Sequence, residues 1–181
     1  MMNDIDIWLE RLSSLYKSQM RQAVSSEGIQ LVHLEILRYL SISNKYSNTA
    51  QAMSEYLGQT KGSISQSLKL LEKEGYIERR PSTEDKRVVR VYLTQAGDDC
   101  LERMSEYLMP NLDESPKTAE AIKSLLHTWQ NKNDHKGFGQ CQSCRLNQEL
   151  DDGKFQCGLT GAPLSVTDIR KICREHEFND K

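Results

Sequence analysis

The stretch at residues 60–97, TKGSISQSLKLLEKEGYIERRPSTEDKRVVRVYLTQAG, admits few arrangements. Thr60 stands where a helix N-cap belongs, because its hydroxyl can accept from a backbone N–H that the first turn leaves open. Ile64, Leu68 and Leu71 recur at helical spacing, and Gly75 follows the last charged turn, where a left-handed residue is wanted. The spacing predicts a helix over about residues 61–74. Residues 76–80 and 88–93 are β-prone runs, and the segment between them, 81–87, is polar with turn chemistry. Thr94 can cap a further helix from Gln95. A short helix followed by a charged hairpin, with helices on both sides, is the order of a winged helix.

Helical periodicity continues in both directions. Ile5, Trp8, Leu9, Leu12, Leu15 and Tyr16 line one face of an opening helix that ends near Gly28. Leu31, Leu34, Ile36, Leu37 and Leu40 make the next, and residues 50–57 a third. Beyond the hairpin, Cys100, Leu101, Met104, Leu108 and Met109 extend the helix begun after Thr94 until Pro110 stops it. Ser115-Pro116 is a helix start, after which Ala119, Ile122, Leu125, Leu126 and Trp129 form a last amphipathic face. The fold class is therefore mainly α (α+β), with a two-stranded wing, and residues 1–133 make one domain.

Charge narrows what such a domain can do. The chain of 181 residues has a formal net charge of −2, which argues against a protein that coats nucleic acid indiscriminately. Residues 61–90 carry eight basic and five acidic side chains, a local +3 that leaves −5 for the remainder. With Ile64, Leu68 and Leu71 facing inward, the other side of that helix presents Lys61, Gly62, Ser63, Gln66 and Lys69. Hydroxyl and amide groups suit base edges in a major groove: Gln66 can pair bidentately with adenine, and Lys61 can reach guanine or phosphate. No apolar run approaches membrane-spanning length, and Asp4, Asp6 and Glu10 interrupt the N-terminal apolar residues. A soluble cytoplasmic protein with no membrane contact is expected.

The motifs Leu57-Gly58, Thr60, Leu71-Glu72-Lys73-Glu74-Gly75-Tyr76-Ile77-Glu78-Arg79, Asp85-Lys86-Arg87 and Leu93-Thr94-Gln95-Ala96-Gly97 stand in one fixed order and spacing. In that order the segment resembles the winged helix-turn-helix of MarR-family transcriptional regulators. The resemblance implies a homodimer on a double-stranded DNA operator, with the first helix and the last two helices of the domain forming the two-fold interface. It puts Thr60, Lys61, Gly62, Ser63, Gln66 and Lys69 at the DNA, Arg87 in a minor groove with Asp85 orienting it, and Lys86 beside them. Lys86, Arg79, Arg80 and Arg90 are expected to hold phosphates or to solvate the strands. A small-molecule effector would bind between the dimer helices and the DNA-binding lobes. The resemblance loosens over residues 1–133 and does not reach the tail.

Residues 134–181 form a separate module of different composition. Four of the five cysteines fall in the pattern Cys141-x2-Cys144-x12-Cys157-x15-Cys173, with His176 three residues further on. The module has few large apolar groups, chiefly Phe138, Phe155, Leu159, Leu164, Ile169 and Ile172, so it needs a staple or a host surface. Thiolates around a metal supply a staple, since binding energy at such a site is folding energy. Zinc held by Cys141, Cys144, Cys157 and Cys173, or by three cysteines and His176, is expected. A 4Fe-4S cluster on the same four cysteines is the alternative, favoured by the missing second Cys-x2-Cys pair. Ser165-x-x-Asp168 reads as a capping box opening a helix that carries Cys173 and His176 on one face. Stable disulfides do not suit a reducing cytosol, although a reversible thiol switch does. Cys100 reads as a small buried core residue, His33 and His127 as packed or solvated, and His135 as an outlying ligand candidate.

Two readings from other classes are weaker. A metal-dependent enzyme would want an open coordination position, a glycine-rich phosphate loop or a nucleophile with its base, and none is present in the sequence. A protein–protein adapter with a degenerate winged helix has no use for Asp85-Lys86-Arg87.

Overall fold

The computed structural model describes residues 3–105, 107, 115–133, 135 and 137–179. Helix α1 (Asp4–Glu27) opens on a capping box, in which the Asn3 side chain accepts from the Asp6 N–H and the Asp6 carboxylate accepts from the Asn3 N–H. Helices α2 (Leu31–Ile42) and α3 (Ala50–Leu57) follow, the second capped by Thr49. Gly58 takes a left-handed conformation (φ 63°) between α3 and α4 (Lys61–Lys73), and Thr60 Oγ1 caps α4 by accepting from the Ser63 N–H at 3.1 Å. Strands β1 (Ile77–Pro81) and β2 (Val89–Leu93) pair antiparallel, with Ile77 opposite Leu93 and Arg80 opposite Arg90.

Each strand starts one residue later than β-propensity suggests. The Tyr76 N–H is taken by the Leu71 carbonyl, which closes the end of α4, and the Val88 N–H by the Asp85 carbonyl, which closes the wing tip. Helix α5 (Gln95–Ser105) starts under the wing, and a Cβ at Gly97 would lie 2.3 Å from the Tyr76 carbonyl oxygen, so this position takes glycine alone. The expected extension of this helix through Leu108 and Met109 to Pro110 lies outside the described residues. Helix α6 (Pro116–Lys132) begins with proline at its first turn, as Ser115-Pro116 predicts.

Helix α2 is the centre of the core and packs against α1, α3, α4, α5 and β2. Leu34, Ile36, Leu37, Met53, Ile64, Leu71, Cys100 and Met104 are closed off from solvent completely. The inward and outward faces of α4 are those the sequence predicts. By contrast, Trp8 and Leu12 on α1 and Ile122 and Trp129 on α6 are 65%, 58%, 61% and 53% exposed. Among the described residues no helix is long and apolar enough to cross a membrane.

The tail adds five short strands. β3 (Gly139–Gln140) pairs antiparallel with β7 (Ile172–Cys173), while β4 (Asn147–Glu149), β5 (Phe155–Cys157) and β6 (Pro163–Leu164) form an antiparallel sheet in that order. The predicted helix carrying Cys173 and His176 is absent. Ser165 and Asp168 do exchange their capping bonds, but only a single 3-10 turn, Asp168–Arg170, follows. Lys171 is extended, and Ile172 is pulled into the β3 pairing and into a hydrogen bond from the Asn44 N–H, which ends the helix before Cys173.

The tail leans on the first domain as a host surface. Phe138 is 6% exposed and joins the main core edge-on to Tyr56, with ring centroids 5.1 Å apart and planes at 75°. The Asn44 N–H donates to the Ile172 carbonyl at 2.9 Å, and the Arg174 N–H to Ser47 Oγ at 2.8 Å. The Arg174 guanidinium pairs with Glu55 on α3.

Candidate nucleic-acid interface and thiol chamber

On α4, Lys61, Gly62, Gln66 and Lys69 are exposed and Ser63 is half-buried, so one polar stripe leaves the lobe. The Thr60 hydroxyl is engaged as an acceptor in the cap, and its own proton stays free to donate. The wing follows α4 directly, with β1 packed against that helix. Asp85 takes the Arg87 backbone N–H at 3.0 Å, Arg87 Nε at 3.1 Å and Arg87 Nη2 at 2.9 Å, while the Arg87 side chain remains 90% exposed. The Arg87 guanidinium holds the Asp85 carboxyl below its ordinary value, so both groups stay charged. A pair this wet adds little to stability, and its consequence is aim: the guanidinium is held out from the tip. Lys86 is exposed next to it. Arg79 is paired with Glu72 and Arg80 with Glu78, the latter also lying over the Tyr92 ring at 5.5 Å.

The turn between α2 and α3 carries none of the motifs read from the sequence. It is polar yet closed off: Ser43, Asn44, Ser47 and Asn48 are all buried. Asn48 accepts from the Val91 N–H at 2.9 Å through its carbonyl and donates from Nδ2 to the Val91 carbonyl at 3.0 Å, which fixes wing strand β2. Tyr39 OH donates to the Ser47 carbonyl at 2.8 Å. On the opposite side the same turn receives the tail through Asn44 and Ser47. A run of Asn and Ser between two apolar helices looks like a surface loop, and its length of seven residues (43–49) is ordinary for such a connection, so no local signal marks it.

Cys141, Cys144, Cys157 and Cys173 line one recess of about 180 Å³, with Asn44, Tyr46, Arg90, Leu146, Leu159 and Leu164 among its other walls. The sequence predicts that these four come together, and they share this recess. None of the five cysteines is in a disulfide. Burial, followed by the nearby Cys144, Cys173 and Cys157, pushes the Cys141 thiol up to about 11. Burial likewise raises Cys173, opposed by a hydrogen bond from the Asn44 side chain. At Cys157 burial acts upward but is outweighed by bonds from the Thr160 hydroxyl and the Thr160 and Leu159 backbone, and the thiol sits below its usual value. The Glu177 N–H donates to Cys144 Sγ at 3.4 Å.

His176 does not join the four thiols. Its Nε2 lies 3.1 Å from Ser143 Oγ, its ring meets Phe178 edge-on, and a Cβ on Gly139 would come within 2.8 Å of its ring atoms, so the imidazole is seated against bare backbone. His135 is exposed at the end of α6, its N–H bonded to the Gln130 carbonyl. His127 stacks on Phe178 at 3.9 Å. His33 is buried with neither ring nitrogen partnered, and burial lowers its pKa, partly offset by Glu74. Cys100 is fully buried, its Sγ 3.9 Å from Glu27 Oε2, and burial raises its pKa, as a core cysteine should.

Residues 27–88 match the MarR family. That match contains the helix-turn-helix and the wing tip, and it ends well before Cys141. Among solved structures, two mutant forms of MepR from S. aureus are each 20% identical with a TM-score of 0.50; one alignment covers 71% of this chain and 88% of MepR, the other 74% and 91%. The transcriptional regulator Tm0710 from Thermotoga maritima is 22% identical over 72% of this chain and 85% of its own, with a TM-score of 0.48. No curated protein matches the chain significantly.

Proposed function

We propose that the protein, whose residues 27–88 match the MarR family, is a transcriptional regulator that binds a double-stranded DNA operator sequence-specifically as a homodimer. One observation carries the reading: within the matched segment α4 exposes a polar stripe, and Asp85 holds an exposed Arg87 at the tip of the hairpin that follows it. A helix presenting Lys61, Ser63, Gln66 and Lys69 fits a major groove, and an arginine held at a hairpin tip fits the neighbouring minor groove, whose negative potential attracts it.

Dimerisation is supported by the apolar residues that the lobe leaves in water. Trp8 and Leu12 on α1 and Ile122, Leu126 and Trp129 on α6 are too much apolar surface for scattered positions, and a second copy would cover them. Between α3 and α6 lies a cleft of about 800 Å³ walled by Tyr56, Leu57, Leu126 and Trp129 with Glu55 and Gln130, which supports an amphipathic small-molecule effector there. The four tail thiols are the proposal's metal site, structural or sensory, with zinc or an iron–sulfur cluster as the two occupants to separate.

The test is selection of duplexes from a randomised pool by the full-length chain, followed by anisotropy titration of the enriched sequence. The expected result is an inverted repeat with half-sites about one helical turn apart. Failure to enrich any two-fold-symmetric sequence would overturn the reading.

A further inference from the structure

We propose that Cys141, Cys144, Cys157 and Cys173 ligate an iron–sulfur cluster in the recess they share, and that its presence sets the position of wing strand β2. A single tetrahedral zinc draws each sulfur to about 2.3 Å from the metal, which brings the four sulfurs nearly into contact. The thiols here share a recess without converging that far: among the described residues no three His, Cys, Asp or Glu side chains are grouped to hold one metal ion. A cluster resolves this, because its own iron and sulfide fill the middle and its thiolate ligands stay apart around the core. The recess, at about 180 Å³, has room for such a core. A single water needs only about 10–15 Å³.

The walls suit the same occupant. Leu146, Leu159 and Leu164 make part of the wall apolar, and backbone N–H groups bond the sulfurs: Glu177 at Cys144, Glu175 at Cys173, and Leu159 and Thr160 at Cys157. Hydrogen bonds to sulfur and exclusion of solvent are what tune and protect a cluster. The walls of the recess hold four cysteines and not His176, whose Nε2 faces Ser143 and whose buried Nδ1 has no partner. Loading is ligand exchange from a preformed cluster. Each cysteine gives up its thiol proton and forms one S–Fe bond, while a small thiolate leaves the iron and takes the proton; no electrons move.

The recess is wired to the wing. Arg90 of β2 forms part of its wall and lies 3.4 Å from Asn48 Oδ1, and an anionic thiolate-bound cluster would attract the guanidinium. The turn at 43–49 holds Ile172, next to Cys173, through Asn44 and holds Val91 of β2 through Asn48. Filling or emptying the recess therefore acts on the strand that carries the wing. The cluster itself is independent of the regulator reading; only its effect on DNA binding rests on it.

The experiment uses the full chain purified without oxygen or chelators, analysed for iron, acid-labile sulfide and zinc. It is then stripped and titrated separately with zinc salt and with a preformed 4Fe-4S complex of a small thiolate. Iron and sulfide in equal amounts, retained through gel filtration in the His176→Gln variant and lost in Cys157→Ser, are expected. A stripped protein that takes one zinc and neither iron nor sulfide overturns the assignment, as does disulfide pairing of the four thiols as the only product. Loaded and stripped dimers should differ at least about 10-fold in affinity for the selected operator, within the usual range of coupling. Equal affinities overturn the link to the wing. Retained cluster with no DNA binding by either form would support the site while rejecting the regulator reading.

Discussion

Phe138→Ala is the sharpest probe of how the tail is held. The ring is almost fully buried and meets Tyr56 and Tyr39 edge-on, at 5.1 and 6.3 Å. Truncating a buried phenylalanine costs about 3–5 kcal/mol, of which two edge contacts account for roughly 1–3 kcal/mol. The polar docking contacts are smaller. Two hydrogen bonds, Asn44 to Ile172 and Arg174 to Ser47, contribute about 1 kcal/mol each, and the half-buried Arg174–Glu55 pair adds at most about as much again. Phe138 thus supplies half or more of the energy of these contacts, and its loss should open the tail locally. In hydrogen–deuterium exchange the Asn44, Cys141 and Arg174 amides, bonded to Ile172, Lys171 and Ser47, should lose about 10²–10³-fold of protection. Amides inside α2 should change far less. If α2 loses protection while those three amides keep theirs, Phe138 is a core residue of the lobe and not the anchor of the tail.

Three further changes test other surfaces. Arg87→Ala should weaken operator binding about 5–150-fold and flatten its salt dependence without moving the melting temperature; Asp85→Asn, which removes the carboxylate that aims Arg87 but leaves the arginine's own charge, should cost less. Leu12→Asp with Ile122→Asp should turn the dimer into a folded monomer in analytical ultracentrifugation, because both side chains are solvent-exposed in the single chain. His33 gives a pH signature: its pKa is lowered by burial, so between the folded value and about 6.5 only the unfolded chain takes the proton, and stability falls as pH drops below about 6.5. His33→Leu should flatten that slope in urea unfolding followed across pH 7 to 5, and an unchanged slope would remove His33 as its source.

The lobe was legible because its signals are local. Thr60, Gly75 and the Ile64, Leu68, Leu71 spacing each act within one or two turns, and α4 starts where they indicate. The exposed stripe of α4 and the Asp85–Arg87 contact follow from the same short-range pattern. The tail was legible only in its cysteines. Its strands are two or three residues long, too short to show alternation, and the capping box at Ser165 and Asp168 formed without its helix because distant pairing claimed Ile172. What no local pattern encodes is partnership across the chain. Arg174 reaches Ser47 across 127 residues and Asn48 reaches Val91 across 43, so Asn44, Ser47 and Asn48 show their use only once the fold is built.

That placement changes where regulation would enter. A cysteine module following the last dimer helix suggests control of the spacing between recognition helices through α5 and α6. The thiol recess instead opens against the 43–49 turn and β2. On the proposed reading, a signal at the thiols would reach the wing through Arg90 and the α2–α3 turn within one lobe, while Cys144 also reaches α6 through its bridge to Phe178, which stacks on His127. Since coupling between two sites is reciprocal, an operator that holds the wing in one position must change the affinity of the recess for its occupant by the same factor. Loss of the occupant measured with and without operator should then differ by the ratio of the two DNA affinities. A mechanism routed through dimer spacing would instead vanish in the Leu12→Asp, Ile122→Asp monomer, whereas one routed through Asn48 and Val91 would survive in its half-site binding.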